Sequence, residues 1–204
     1  MTPQVLVLAK TPVPGRVKTR LCPPYTPEQA AAIAAAALAD TVDAVGTGIL
    51  VIEGDHPAPR GWTRTVQRGD SLGERIAHAF LDTARPGTAT LLIGMDTPQV
   101  TPALVRAALD RLASGPHDAV LGPAEDGGWW ALGLRDAAHA AVLRDVPMST
   151  ATTGADTRAA LASRGLRVGD LPALRDVDTA ADAYAVAGLC PPGSRFREAL
   201  RVAA

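Results

Sequence analysis

The chain has 204 residues, of which 47% are hydrophobic and 20% charged, and its formal net charge is −1. That is the composition expected of one globular domain, here residues 1–204, with an adequate core. The near-neutral balance excludes a global pull toward a nucleic-acid polymer or a membrane surface, and no apolar run reaches membrane-spanning length.

The apolar run Gln4–Ala9 predicts a first, buried strand. The loop after it, Lys10-Thr-Pro-Val-Pro-Gly-Arg-Val-Lys-Thr-Arg-Leu21, carries Lys10, Arg16, Lys18 and Arg20 and no acid; Glu28 is the first acidic residue of the chain. Both lysines of the chain lie here, against eighteen arginines in total. A compact, mobile ammonium is thus concentrated where the loop is most cationic. A cation-rich loop with a glycine after a first strand points to phosphate binding, the competing interpretation being a solvated basic loop. Neither GxxxxGK[ST] nor GxGxxG is present, and Pro12 and Pro14 stiffen the segment. Side-chain cations are therefore expected to hold an anion more than backbone amides do.

Thr26-Pro-Glu-Gln29 is a helix start with an N-cap, a proline at the first helical position and a capping-box glutamine. The helix is expected to run to about Val45, where Gly46 and Gly48 end it. Ile49–Ile52 is a second strand and Thr63–Gln67 a weak third. Residues 72–80 have helical apolar spacing, and Thr90–Ile93 reads as a strand covered on both faces. Thr101-Pro102 opens another helix, to about Ala113. Strands are expected at Asp118–Leu121, Trp129–Leu134 and Leu166–Leu171. Helices are expected at Asp136–Leu143, from Thr153 to Ser163, at Ala180–Ala187 and at Ser194–Arg201. Alternating strands and helices predict an α/β fold, a mostly parallel sheet with helices on both faces. Ligands of such sheets lie beyond the carboxyl ends of the strands, so loops 10–21, 94–98 and 122–128 are expected to converge on one edge. Cys22 and Cys190 have no CxxC or metal-ligand spacing and read as free thiols of a cytoplasmic protein. Val5–Ala9, interrupted by Lys10, is too short for a secretory leader.

Several acids are placed for chemistry. Asp96 follows the buried run Thr90–Ile93 directly and is suited to hold a divalent cation, for which one or two protein carboxylates suffice when phosphate and water complete the shell. The alternative is an Asp that caps the next turn. Asp126 precedes Gly127 and Gly128, where either a ligand or a sharp turn would require glycine. Trp129 and Trp130 alternate, so one is expected in the core and one facing out, where it could wall a base or acceptor pocket. Asp176 and Asp178, two apart in an extended segment, could reach one metal or one cation. The hydroxyls of Met148–Thr153 lie near a helix start, where anions are favoured, and read as helix capping ahead of substrate contact. The four histidines have no ligand spacing and no Ser or Cys partner, which argues against a triad hydrolase.

These motifs, together with Gln67…Leu72-Gly-Glu-Arg75, resemble a bacterial family of uncharacterised glycosyltransferase-A-like proteins across nearly the whole chain. More distantly they resemble the molybdenum-cofactor and 2-phospho-lactate guanylyltransferases. The resemblance implies a Rossmann-like nucleotide-diphospho-sugar transferase (GT-A) fold. It implies nucleotide phosphates at Lys10, Gly15, Arg16, Lys18 and Arg20, and Mg²⁺ or Mn²⁺ at Asp96 and at Asp178 or Asp176. Lys18 and Asp96 are then catalytic candidates. Asp126, Gly127 and Gly128 belong to the family's own pattern without a role that the resemblance establishes. From the residues themselves Asp126 is a third catalytic candidate, a base for an acceptor hydroxyl, with an acceptor pocket at Gly127, Gly128 and Trp129. Prolines stand where nucleotidyltransferases carry loop glycines, and Met95 and Thr97 flank Asp96 where glycosyltransferases carry Asp-x-Asp. The expected activity is nucleotidyl transfer from a nucleoside triphosphate to a small phosphorylated or phosphonate acceptor. Glycosyl transfer from a nucleoside-diphosphate sugar and a nucleotide sensor without turnover are the alternatives. The partners expected are small molecules alone.

Overall fold

The computed structural model describes residues 3–203. Seven strands form one sheet in the order β3-β2-β1-β4-β6-β5-β7. They are β1 (Gln4–Lys10), β2 (Ile49–Glu53), β3 (Thr63–Val66), β4 (Thr90–Gly94), β5 (Ala119–Pro123), β6 (Trp129–Leu134) and β7 (Val168–Asp170). All pairings are parallel except those of β6, which runs antiparallel between β4 and β5. The sheet is mostly parallel, as expected. Because β6 turns straight back from β5, the connecting residues 124–128 lie at the carboxyl edge beside the ends of β1 and β4.

Six α-helices connect and cover the strands: α1 (Pro27–Val45), α2 (Leu72–Thr83), α3 (Pro102–Ser114), α4 (Thr153–Ala162), α5 (Ala180–Leu189) and α6 (Arg195–Ala203). Their starts follow local chemistry. Thr26 accepts from the Gln29 N–H while Gln29 accepts from the Thr26 N–H; Ser71 with Glu74 and Thr179 with Asp182 repeat the capping box. The helical segment expected at Asp136–Leu143 is a 3₁₀ helix, Ala137–Asp145, with Asp136 accepting from the Ala138 N–H at its start. Among the described residues no helix is long and apolar enough to cross a membrane.

Alternation along the strands divides the core by face. Leu6, Val51, Leu92, Leu121 and Leu132 pack with Ile76 and Phe80 of α2, Leu143 and Leu161 on one face. On the other, Val7, Leu50 and Ile52 meet Ala34 and Leu38 of α1, while Leu91, Ile93 and Val120 meet Val105 and Leu112 of α3. Trp130 is buried on this second face. A third cluster ties the first loop to the C-terminal helices: Leu21 and Tyr25 pack with Ile33, Val177, Val186, Phe196 and Leu200. Full burial of each such Leu or Phe side chain is worth about 1.5–3 kcal/mol. That packing holds the first loop and residues 176–178 at the same corner. Cys22 and Cys190 are both free thiols at this cluster.

Candidate active site

A cleft of about 690 Å³ opens at the carboxyl edge of the sheet. It is walled by the first loop, the end of β4, the β5–β6 turn, the Met148–Ala151 loop and residues 176–178, which come from distant parts of the sequence. The convergence follows from strand direction: β1, β4 and β5 all deliver their following loops to this edge.

Lys18 is at the centre. Its Nζ lies 2.7 Å from Asp96 Oδ1 and 3.2 Å from Asp178 Oδ1, and only 10% of its side chain is exposed. Burial works to lower its pKa, but the two carboxylates more than offset it, and the ammonium is held above the ordinary lysine range. Its backbone is left-handed, φ 48°, ψ 39°, a conformation that costs a non-glycine residue about 1–2 kcal/mol. The strain falls where the side chain is most constrained, as is common at functional positions. Arg20 also pairs with Asp178, at 3.0 Å, and Lys10 pairs with Glu53 at 3.4 Å. Arg16 lines the cleft and, among the described residues, its guanidinium makes no hydrogen bond or ion pair.

Asp126 and Asp176 complete the acidic corner. Asp176 is half-buried, and its Oδ1 has no hydrogen-bond partner among the described residues. Burial first, then the charges of Asp126 and Asp96, push its pKa up to about 7 against the pull of Lys18. Asp126 is exposed, with Oδ1 accepting from the Gly128 N–H at 2.8 Å. The buried hydroxyl of Thr97, also on the cleft wall, is a second polar atom without a partner among the described residues.

The opposite part of the cleft is apolar: Leu8, Leu72, Ile76, Leu92, Trp129 and Met148 line it. Trp129 is half-buried and donates from Nε1 to Thr157 at 3.2 Å, while Trp130 is core, so the two tryptophans divide as alternation predicts. The Gln67 amide lines this part too, its Nε2 held by the Ala9 and Val51 carbonyls. Sequence reasoning named Trp129 as a pocket wall but missed the rest of this floor, whose residues look like ordinary core positions. The Ser149–Ala151 rim also lines the cleft, the placement that substrate contact requires and that the sequence ranked behind helix capping. Ser149, with φ 60°, is the only other described non-glycine residue with positive φ.

Two of the expected site residues lie off the cleft wall. Gly15 is absent from the cleft wall; its φ of 73° serves the turn after Pro14. Gly127 does not line the wall either. Its φ is 91°, a Cβ there would overlap the Ala151 carbonyl oxygen, and its own carbonyl accepts from the Gly154 N–H at 2.8 Å. Gly127 therefore locks the β5–β6 turn onto the start of α4, and Gly128 and Trp129 face the cleft without it.

For a metal ion, the observation that matters is the ammonium itself: Asp96 and Asp178 already share one cation. Among the described residues no three His, Cys, Asp or Glu side chains are grouped to hold a metal. A divalent ion at this pair would have two protein carboxylates and would draw its remaining ligands from water and phosphate.

The fold is that of the nucleotide-diphospho-sugar transferases. A Desulfovibrio desulfuricans protein described as a "putative nucleotide-diphospho-sugar transferase" is 27% identical, with a TM-score of 0.85 over 99% of this chain and 95% of its own. Mycobacterium tuberculosis Rv0371c in complex with manganese is 21% identical, with a TM-score of 0.52 over 91% of this chain and 98% of its own. A CMP:2-keto-3-deoxy-manno-octonic acid synthetase complexed with CTP is 11% identical, with a TM-score of 0.57 over 98% of this chain and 100% of its own. No curated protein matches the chain. The family described as "Uncharacterized protein conserved in bacteria (DUF2064)" matches residues 29–150, more than half of the chain, and the chain belongs to that family.

Proposed function

We propose that this protein is a divalent-metal-dependent transferase of nucleotide substrates, and that it transfers a nucleotidyl group from a nucleoside triphosphate to a small phosphorylated or phosphonate acceptor. The observation that carries this reading is the charge layout of one cleft: Arg16, Lys18 and Arg20 stand beside Asp96 and Asp178, and the Arg16 guanidinium has no partner among the described residues. A nucleoside triphosphate with its divalent ion suits both halves of this layout, phosphate for the unpaired Arg16 guanidinium and a cation for the acidic corner.

In this reading Arg16 binds phosphate oxygens, with Lys18 and Arg20 beside it. An oxygen of the acceptor attacks the α-phosphorus; a new P–O bond forms, the bond to the β-phosphate breaks, and pyrophosphate leaves with its electron pair. A divalent ion held by Asp96 and Asp178, Mg²⁺ or Mn²⁺, would supply charge neutralisation on those oxygens. The chain's remaining contribution is positioning and electrostatics. The acceptor sits against Gly128 and Trp129, across from the first loop. Asp126 orients it, and the apolar floor gives its non-polar part a surface to pack on.

Glycosyl transfer from a nucleoside-diphosphate sugar is the second reading. It is favoured by the printed description of the 27% identical Desulfovibrio protein and by the exposed Asp126 carboxylate, which could accept a proton from an acceptor hydroxyl. The discriminating experiment incubates purified protein and Mg²⁺ with each class of donor and a panel of small acceptors. Pyrophosphate release from a triphosphate supports the first reading. Nucleoside diphosphate released from a sugar nucleotide supports the second, and acceptor-independent binding without either product supports a sensor.

A further inference from the structure

The geometry gives Lys18 two incompatible partners. Its ammonium is buried between Asp96 Oδ1 and Asp178 Oδ1, which hold it away from phosphate, and while it stays there a divalent ion at the same two oxygens would lie against it. Both lie within hydrogen-bonding distance of one Nζ, and a divalent ion would need their lone pairs at still shorter range. Two cations cannot share that corner without strong mutual repulsion.

We propose that Lys18 is a resident counter-cation, exchanged for a divalent metal when substrate arrives, and that the displaced ammonium moves to the anionic substrate. The proposal deepens the metal–nucleotide reading of the cleft and rests on it. The chain has the right side chain for an exchange. A lysine ammonium is compact and sits on a flexible four-carbon stem, whereas a guanidinium is a rigid fork. Only two of the chain's 20 basic residues are lysines, and one of them is here. The left-handed backbone at φ 48° makes the parked arrangement one that the local chain does not favour by itself.

The second support is the surplus of negative charge. Asp96, Asp126, Asp176 and Asp178 all act electrostatically on this corner, and without a cation they would repel one another. Lys18 neutralises part of that charge while the cleft is without substrate, so the carboxylates remain assembled. It also weakens binding of metal alone. A metal that arrives with a nucleotide brings an acceptor for the displaced ammonium, so metal and nucleotide should each strengthen the other's binding.

The test measures Mn²⁺ binding by electron paramagnetic resonance, without nucleotide, to wild-type protein and to Lys18→Met. Removing the competitor should tighten Mn²⁺ binding by about tenfold or more, the factor expected when the competent state is a minor one. Equal, weaker or undetectable binding in the variant overturns the proposal. Should the variant fail to fold, wild-type protein carrying ¹⁵N-labelled lysine answers instead. Only two ammonium signals exist, and Lys10→Arg assigns them. Mg²⁺, at concentrations that displace Mn²⁺, should move the Lys18 signal and speed its exchange with water; an unmoved signal overturns the exchange. Neither measurement includes a nucleotide or a turnover, so absence of transferase activity would sink the functional reading and leave this result standing.

Discussion

Replacing Asp176 by Asn removes one of the four negative charges of the cleft with little change of shape. The folded protein holds this carboxyl at about 7, raised from 3.8, through burial and then the charges of Asp126 and Asp96. Between those values the folded state binds a proton that the unfolded state does not, so stability falls as pH rises, and the loss is complete above about pH 7. A gap of roughly three pKa units at about 1.4 kcal/mol each sets an upper bound of about 4 kcal/mol on the penalty. The cleft is open to solvent, so roughly half of that, about 2 kcal/mol, is the expected gain when the charge is removed. For a chain of this size that is about 4–8 °C in Tm at pH 8.5. At pH 5 less than half of the penalty has developed, and the gain should shrink accordingly. Thermal melts of wild type and Asp176→Asn in EDTA at both pH values make the comparison. Equal shifts at the two pH values, or a variant less stable than wild type at pH 8.5, would refute the assignment of a strained, charge-crowded carboxylate.

Arg16→Ala should weaken nucleoside triphosphate binding by about 10–100-fold, the loss of one charge-assisted contact, as read by calorimetric titration. It should also flatten the salt dependence of that binding, and unchanged affinity would mean that Arg16 faces solvent only. Asp96→Asn should abolish the Mg²⁺-dependent part of nucleotide affinity, and full Mg²⁺ dependence in that variant would move the metal elsewhere. Gly127→Ala forces a Cβ onto the Ala151 carbonyl at a φ of 91° and should cost about 1–3 kcal/mol, seen as a lower Tm. A variant as stable as wild type would show that the β5–β6 turn is not locked to α4.

Much of the fold is legible locally. Thr26, Thr101 and Thr179 each announce a helix through a hydroxyl three residues before the backbone N–H it caps, and all three caps are formed. The continuous apolar runs of β1 and β4 mark central strands, and strand direction then brings their loops together. What was not legible depends on pairings between distant residues. Nothing in Trp129–Leu134 says that it runs antiparallel between β4 and β5, because alternation has no direction. The ion pair of Lys18 with Asp178 joins positions 160 residues apart. The basic loop could therefore be recognised as cationic, but not as already neutralised by the acids expected to hold metal. Asp176 and Asp178 were predicted to share one side, and both line the cleft, yet their environments differ: Asp178 is paired with Lys18 and Arg20, and Asp176 is crowded by like charge. Gly127 carried two readings in sequence, ligand approach or turn; only the proximity of Ala151, across the β5–β6 turn, decides for packing.

The most direct test of the account is a thermal-shift panel of nucleoside triphosphates and nucleoside-diphosphate sugars, each with and without Mg²⁺, on wild type, Arg16→Ala and Asp96→Asn. The account predicts that one triphosphate raises the wild-type Tm only when Mg²⁺ is present. At 100-fold excess over Kd the gain is about 2.7 kcal/mol, or about 5–10 °C for a chain of this size. Both variants should lose most of the shift. A shift of equal size without Mg²⁺, or one that survives in both variants, would contradict the assignment of this cleft as the metal–nucleotide site.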